Sequence, residues 1–118
     1  MGERTESDLI TKILEKLGVV PEGQAANQED IARVEGNLQS VIDELAAREI
    51  LFVPDINSIP NEWFLSLAKI CAYELRNEFG ITGEFEATLR NGNDEAIGNI
   101  KVMTRGRPTY EPLKTLSY

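Results

Sequence analysis

The sequence contains no histidine, a single cysteine, and far fewer basic than acidic side chains. Without histidine there is no Ser-His-Asp or Cys-His nucleophile and no histidine metal ligand. A lone cysteine excludes an internal disulfide and any zinc site built from cysteines alone. The 12 Lys and Arg against 20 Asp and Glu give a formal charge of −8, which opposes binding to nucleic acid phosphates. We therefore expect a binding or assembly protein that is not an enzyme, with no cofactor and no metal.

Long apolar runs are also missing. No stretch reaches the roughly 20 apolar residues of a membrane-spanning helix, and the N-terminal residues lack the apolar core of a signal peptide. With 118 residues, 42% of them hydrophobic, the chain has the size and the apolar content of one domain with one core. We expect a protein that is made in the cytoplasm and does not contact a membrane.

The spacing of apolar residues predicts a mainly α-helical fold, a small bundle of three to four helices. A first helix is predicted over residues 8–17, with Ser7 as its N-cap and Gly18 as the left-handed residue that ends it. A second begins at the N-cap Asn27 and continues to about residue 47. Their apolar stripes, at the helical spacing of three and four, are Ile10, Ile13, Leu14 and Leu17, then Ile31, Val34, Leu38, Val41 and Leu45.

A third helix is predicted over residues 61–79, with Ser58 or Asn61 as its cap and Gly80 at its end. Its inward stripe is Phe64, Leu67, Ala68, Cys71, Ala72, Leu75 and Phe79. Cys71 on this stripe reads as a small buried hydrophobic residue.

Two segments leave alternatives open. The apolar run at 50–53 fits either a short strand or a buried connection. Residues 84–103 fit a helix by the spacing of Phe85, Leu89, Ala96 and Ile100, but Asn91-Gly92-Asn93-Asp94 is typical of a turn. A hairpin with strands near 84–90 and 96–103 therefore competes with a fourth helix.

Few residues stand out as a site within the helical part. The acidic residues Glu84, Glu86, Asp94 and Glu95 do not have the ligand spacing of a calcium-binding loop, and solvated surface is the simpler interpretation. Trp63 precedes Phe64, and adjacent helical residues point about 100° apart, so the two rings cannot face the same core. Trp63 is thus a candidate interface aromatic, with packing against residues 50–53 as the more ordinary outcome.

The C-terminal residues differ in character from the rest. We divide the chain into a helical domain, residues 1–103, and an extended docking arm, residues 104–118. The arm has two prolines, which favour extended backbone, and a charge of +2, whereas residues 1–103 carry −10. A frayed terminus is the plain alternative. Arginine and large apolar side chains are typical interface anchors, and those of the arm are Arg105, Arg107, Tyr110, Leu113, Leu116 and Tyr118.

In this arrangement the sequence resembles the head-to-tail adaptors of tailed bacteriophages, also called tail accessory or packaged DNA stabilisation proteins. One part of the likeness is the opening segment Asp8-Leu9-Ile10 to Lys16-Leu17-Gly18-Val19. Another is the helix over residues 31–47 followed by Ile50-Leu51-Phe52, and the last is Ile59-Pro60-Asn61-Glu62 leading to Glu78-Phe79-Gly80-Ile81. The likeness covers roughly residues 8–103. It departs at residues 91–98, where the family has an alanine-rich last helix.

The resemblance implies a structural virion protein at the head–tail junction. Such adaptors form a homo-oligomeric ring, commonly a dodecamer, below the portal protein. The ring extends the DNA channel, through which DNA passes without sequence-specific binding, and it provides the platform for tail or tail-terminator proteins. In such adaptors the C-terminal arm docks on the portal, which implies that role for residues 104–118.

A different class of function also fits the acidic composition. A small acidic binding protein, such as an inhibitor that imitates DNA, would present closely spaced carboxylates on one exposed face. The second predicted helix has many carboxylates, but they are scattered around it. They are Glu29, Asp30, Glu35, Asp43, Glu44 and Glu49.

Overall fold

The computed structural model describes residues 3–21 and 23–105, which form four α-helices and one short β-ladder. The elements in chain order are β1 (Glu3–Arg4), α1 (Glu6–Lys16), α2 (Gln28–Ala47), β2 (Ile59–Pro60), α3 (Asn61–Glu74) and α4 (Gly83–Arg105), with a 3-10 helix (Arg76–Phe79) between α3 and α4. The prediction of a mainly helical bundle is confirmed. None of the described helices has the length and apolar content needed to cross a membrane.

The helix starts show which capping signals the sequence uses. At α1 the hydroxyl of Thr5 accepts from the backbone N–H of Asp8, and the Asp8 carboxylate accepts from the N–H of Thr5. This capping box makes Thr5 the N-cap, and the prediction of Ser7 is wrong. At α2 the predicted N-cap is confirmed, because Asn27 Oδ1 accepts from the N–H of Asp30 at 2.8 Å.

The start of α3 is attached to the N-terminal residues. β1 pairs antiparallel with β2, with Glu3 opposite Pro60 and Arg4 opposite Ile59. Ser58 donates to the carboxylate of Glu3, and Asn61 Oδ1 accepts from Arg4 Nε at 3.0 Å. The two predicted caps of α3 therefore hold the N-terminal segment, and α3 begins after Pro60 without a side-chain cap.

The core is built around α3, which contacts each of the other three helices. Most of the predicted stripes are buried, although Ile31 and Phe79 are only half-buried. The run at 50–53 is a connection and not a strand, with Leu51 and Val53 buried and Phe52 exposed. The largest side chains with almost no exposure are Leu9, Ile13, Leu14, Leu17, Val34, Leu38, Leu45, Ile59, Phe64, Leu67, Ile70 and Ile100.

Residues 84–103 form a helix, and the hairpin alternative is wrong. Leu89, Ala96 and Ile100 lie on the face of α4 that is buried in the core. Burial of this face outweighs the turn preference of residues 91–94, a common outcome when tertiary contacts oppose local propensity. Asn93 lies on the buried side, only 6% exposed, and its Oδ1 has no hydrogen-bond partner among the described residues.

Two ion pairs set the direction of α4 against α3. Lys69 Nζ lies 3.4 Å from Glu95, and Arg76 Nε lies 2.7 Å from Glu86, so the two helices run antiparallel. The Arg76 guanidinium also donates to the carbonyl of Tyr73 and lies over the Tyr73 ring, 3.9 Å from its centroid. These contacts hold the connection that brings α4 back along α3.

Two phenylalanines allow a matched test of this core. We expect Phe64→Ala to lower the free energy of unfolding by about 3–5 kcal/mol, because it leaves a cavity at a side chain only 2% exposed. Phe52→Ala, at a side chain 72% exposed, should change it by less than about 0.5 kcal/mol. Urea denaturation followed by circular dichroism measures both. Equal losses would contradict the burial assigned here.

Candidate interaction surfaces

Two helical segments end in the same glycine-containing backbone motif. After α1, Gly18 has φ +75°, its N–H donates to Glu15, and the N–H of Val19 donates to Leu14, both at 3.1 Å. After the 3-10 helix, Gly80 has φ +68° and takes the equivalent place. This is the Schellman motif, in which a left-handed residue lets the last carbonyls find donors. The helix-ending role predicted for Gly18 is confirmed. The predicted extent of the third helix, residues 61–79, is wrong, because α3 ends at Glu74 and Gly80 ends the 3-10 helix that follows it.

The end of α2 has the same motif with a glutamate in the left-handed position. Glu49 has φ +59°, the only positive φ of a non-glycine residue in the described chain. Its N–H donates to Ala46 at 3.0 Å, and the N–H of Ile50 donates to Leu45 at 2.9 Å. A side chain in this conformation is disfavoured by contact with the backbone. Glu49 thus occupies a position at which glycine is the usual residue.

The residues that follow form an exposed feature, residues 49–52, which we call the ridge. Phe52 is 72% exposed, the largest such fraction among the bulky apolar residues described. Beside the ridge is an open groove of about 510 Å³, lined by the ridge with Ala46 and Trp63. Trp63 is half-buried and packs against the core. The candidate interface aromatic from the sequence therefore lies beside residues 50–53 and also faces an open surface.

A second concave surface lies where α1 ends against α3 and α4. It is a cavity of about 180 Å³ lined by Lys16, Lys69, Phe85, Thr88, Leu89 and Gly92, which we call the lysine cleft. Phe85 remains 39% exposed, and its ring packs so close to Gly18 that a Cβ there would lie 3.3 Å from it. Two lysine side chains thus line one concave, largely apolar surface of an acidic protein.

Two further apolar side chains are exposed on α3 and α4. Leu65, 52% exposed, lies one turn before Lys69 on α3. Val102, 71% exposed, lies two turns after Glu95, the ion-pair partner of Lys69. Of the four bulky apolar side chains that are prominently exposed in the described chain, three therefore lie on these two helices and the fourth is Phe52.

The acidic residues of the described chain form no recognisable site. Glu86 contacts Arg76 at 2.7 Å and Arg90 at 4.0 Å, and Glu95 is paired with Lys69. Within residues 3–21 and 23–105, no group of three or more acidic or cysteine side chains is placed to hold a metal ion. On α2, Asp30 is paired with Arg33 of the same helix and Glu44 with Arg48, the C-cap residue. These pairs reduce the free carboxylates that an acidic recognition face would need.

The predicted arm lies mostly outside the described residues. Arg105 is the last residue of α4. Arg107, Tyr110, Leu113, Leu116 and Tyr118 fall within residues 106–118, outside the described part of the chain.

Comparison of the chain with protein-family models, with curated proteins and with solved structures finds no match.

Cys71 gives a first test of the packing behind these surfaces. Burial raises the pKa of its thiol to about 12, and the nearby Glu74 carboxylate acts in the same direction. Because the thiolate is the reactive form, we expect almost no reaction with a disulfide reagent at pH 8 in the native protein. One equivalent should react after unfolding in guanidinium. Rapid labelling of the native protein would contradict the burial of α3.

The backbone at Glu49 gives a second test. We expect Glu49→Gly to raise the free energy of unfolding by up to about 1 kcal/mol, because it removes the strain of a left-handed glutamate. The matched control is Glu35→Gly, an exposed glutamate inside α2, which should lower it by about 1 kcal/mol. Chemical denaturation measures both variants, and destabilisation by Glu49→Gly would contradict the assigned strain.

Proposed function

We propose that this protein is a structural subunit of a ring-shaped adaptor at the head–tail junction of a tailed bacteriophage. The ring lies below the portal, extends the channel through which DNA passes, and offers a platform to the tail. The subunit is made in the host cytoplasm and becomes part of the virion. It acts by binding its neighbours and catalyses no reaction.

The observation that carries the proposal is α4. The resemblance to the adaptor family implies a last helix over residues whose sequence departs from the family pattern. The chain forms a helix there, Gly83–Arg105, in spite of its Asn-Gly-Asn-Asp segment. The order of four helices that the resemblance implies is therefore the order that this chain adopts, which supports the assignment.

The motifs that carry the resemblance also have identifiable physical roles. Leu17-Gly18-Val19 ends α1, and Phe79-Gly80-Ile81 ends the 3-10 helix, each through the same backbone motif. Such segments fix the directions in which successive helices leave one another. The motifs on which the resemblance rests therefore act on the path of the chain, which supports the proposal.

The charge distribution fits a channel component. Residues 1–103 carry 9 basic and 19 acidic side chains, a net charge of −10 per subunit. Repeated around a ring, this charge creates a negative field that repels phosphates. DNA near such a wall is not held and is free to slide.

The exposed apolar residues fit a subunit with several partners. The ridge and the lysine cleft share no residue, and each exposes large apolar side chains. Contiguous apolar surface of this kind marks protein–protein contacts. A ring subunit needs one surface for each neighbour, and the arm is left for the portal.

The arm provides the test. Deleting residues 106–118 leaves α4 whole, and we expect it to abolish binding to the portal ring encoded in the same genome. Replacing Tyr110, Leu113, Leu116 and Tyr118 with serine should have nearly the same effect, since large apolar anchors dominate such interfaces. Co-sedimentation with purified portal rings and electron microscopy of the pellet measure the outcome.

The matched control lies in the same segment. Thr115→Ala with Ser117→Ala changes two small arm residues and should leave binding within about twofold. Undiminished binding by the deletion would refute the docking role of the arm. Absence of any added ring of density below the portal with the full chain would refute the adaptor function itself.

A further inference from the structure

We propose that the ridge of one subunit, with Phe52 and Glu49 at its front, docks into the lysine cleft of a second copy of this chain. This contact deepens the proposed function, since it rests on the ring and names the surfaces that join neighbouring subunits. It assigns a partner to the most exposed aromatic ring of residues 3–21 and 23–105 and to the two lysines of the cleft.

Apolar complementarity is the first argument. Phe52 is 72% exposed, and burying such a ring on a partner is strongly favourable. The cleft offers the exposed Phe85 ring and Leu89, and Gly92 has no side chain to block the entrance. Its volume of about 180 Å³ is below the roughly 300 Å³ at which small-molecule sites begin. One protruding side chain suits it better than a cofactor.

Charge complementarity is the second argument. Glu49 is exposed three residues before Phe52, and the cleft presents Lys16 and Lys69 beside its apolar floor. Lys69 shares its charge with Glu95, whose side chain is 66% exposed, while Lys16 belongs to none of the ion pairs within the described residues. A second copy carries a net charge of −8, which opposes the approach of a carboxylate in general. The two lysines of the cleft favour its approach there.

The backbone of Glu49 is the third argument. The equivalent positions after α1 and after the 3-10 helix are both glycine, whereas this one carries a carboxylate in a disfavoured conformation. Strain of this kind concentrates at functional positions. A carboxylate that contacts a neighbour accounts for a glutamate where glycine would be more stable.

The contact is of the head-to-tail type. Because the ridge and the cleft share no residue, one subunit can use both at once, with a different neighbour at each. Repetition of such a contact gives a closed ring when its rotation closes. Leu65 and Val102 are exposed on the two helices that carry most of the cleft, one turn from Lys69 and two turns from Glu95.

Cysteine cross-linking tests the contact directly. A Phe52→Cys chain and a Thr88→Cys chain that carries a tag of different mass are mixed and oxidised, free and on portal rings. Position 88 lines the cleft, and Cys71 is buried, so neither chain has another reactive thiol in the described core. We expect a disulfide between the two chains in the mixture. A chain with both substitutions should give a ladder of covalent oligomers.

The matched control replaces Thr88→Cys with Ser40→Cys, a position exposed on α2. It should give at least about tenfold less mixed product. Mixed product no greater than this control, both free and on the portal, would overturn the proposal. A preference for disulfides between two Phe52→Cys chains would also overturn it, because this indicates a symmetric contact. So would a tenfold rise in mixed product after deletion of residues 106–118, because this indicates that the chain's own arm fills the cleft.

Point substitutions separate the contact from folding. With the cysteine pair present, Glu49→Gly should stabilise the subunit yet reduce cross-linking about two- to fivefold, the range of a surface ion pair. Glu49→Lys or Lys16→Glu alone should reduce it similarly, and both in one chain should restore it. No recovery in the double variant would count against the charge pairing.

The portal assay keeps the two proposals distinct. If subunits form a ring on the portal without the mixed cross-link, the adaptor function stands and the assigned contact fails. If the cross-link forms but no portal ring binds the chain, the contact stands and the adaptor function fails.

Discussion

The packing of α3 against the other helices is the constraint on which the rest of the structure depends. Its buried face combines large side chains, Phe64, Leu67 and Ile70, with the small residues Ala68 and Cys71. Small residues allow the neighbouring helices to approach closely, and the large ones fill the space between them. Because α1 and α4 both pack against α3, the lysine cleft forms where these three helices meet and depends on their packing. The ridge likewise depends on α3, since the connection that carries it packs beside Trp63.

Much of the helical order could be predicted from periodicity and from helix-ending glycines. Asn27 and Gly18 cap and end the helices for which the sequence predicts them, because their effects are local to one turn of backbone. Gly80 also adopts the predicted left-handed conformation, but it ends the 3-10 helix and not α3. The sequence did not distinguish a fourth helix from a hairpin over residues 84–103, because the local turn preference opposes the helical spacing. The helix is favoured by burial of Leu89, Ala96 and Ile100, which depends on contacts with the packed core. The prediction of the caps of α3 is wrong for a related reason. Ser58 and Asn61 are used by β1, a partner more than 50 residues away that no local pattern indicates.

The candidate surfaces were harder to predict than the helices. The sequence indicates Trp63 as a candidate interface aromatic, and Trp63 lines the groove beside the ridge. The sequence places Phe52 in an apolar run between Leu51 and Val53, which are both buried. Its exposure could not be predicted, because it depends on the path of the connection through space. The lysine cleft joins Lys16, Lys69 and Gly92 from three helices, and nothing in their spacing links them. The one signal for the ridge in the sequence is Glu49, at the position after α2 where α1 and the 3-10 helix have glycine.

The ladder between β1 and β2 has a consequence for synthesis of the chain. Glu3 and Arg4 can pair only after Ile59 and Pro60 have left the ribosome, and α1 meets its main partner only when α3 follows. Until then the face of α1 that packs on α3 is uncovered, and such nascent segments attract chaperones and one another. At about 5–20 residues per second, the chain spends seconds in this state. The N-terminal residues then pair with the residues at the start of α3, and this pairing completes the fold around its central helix.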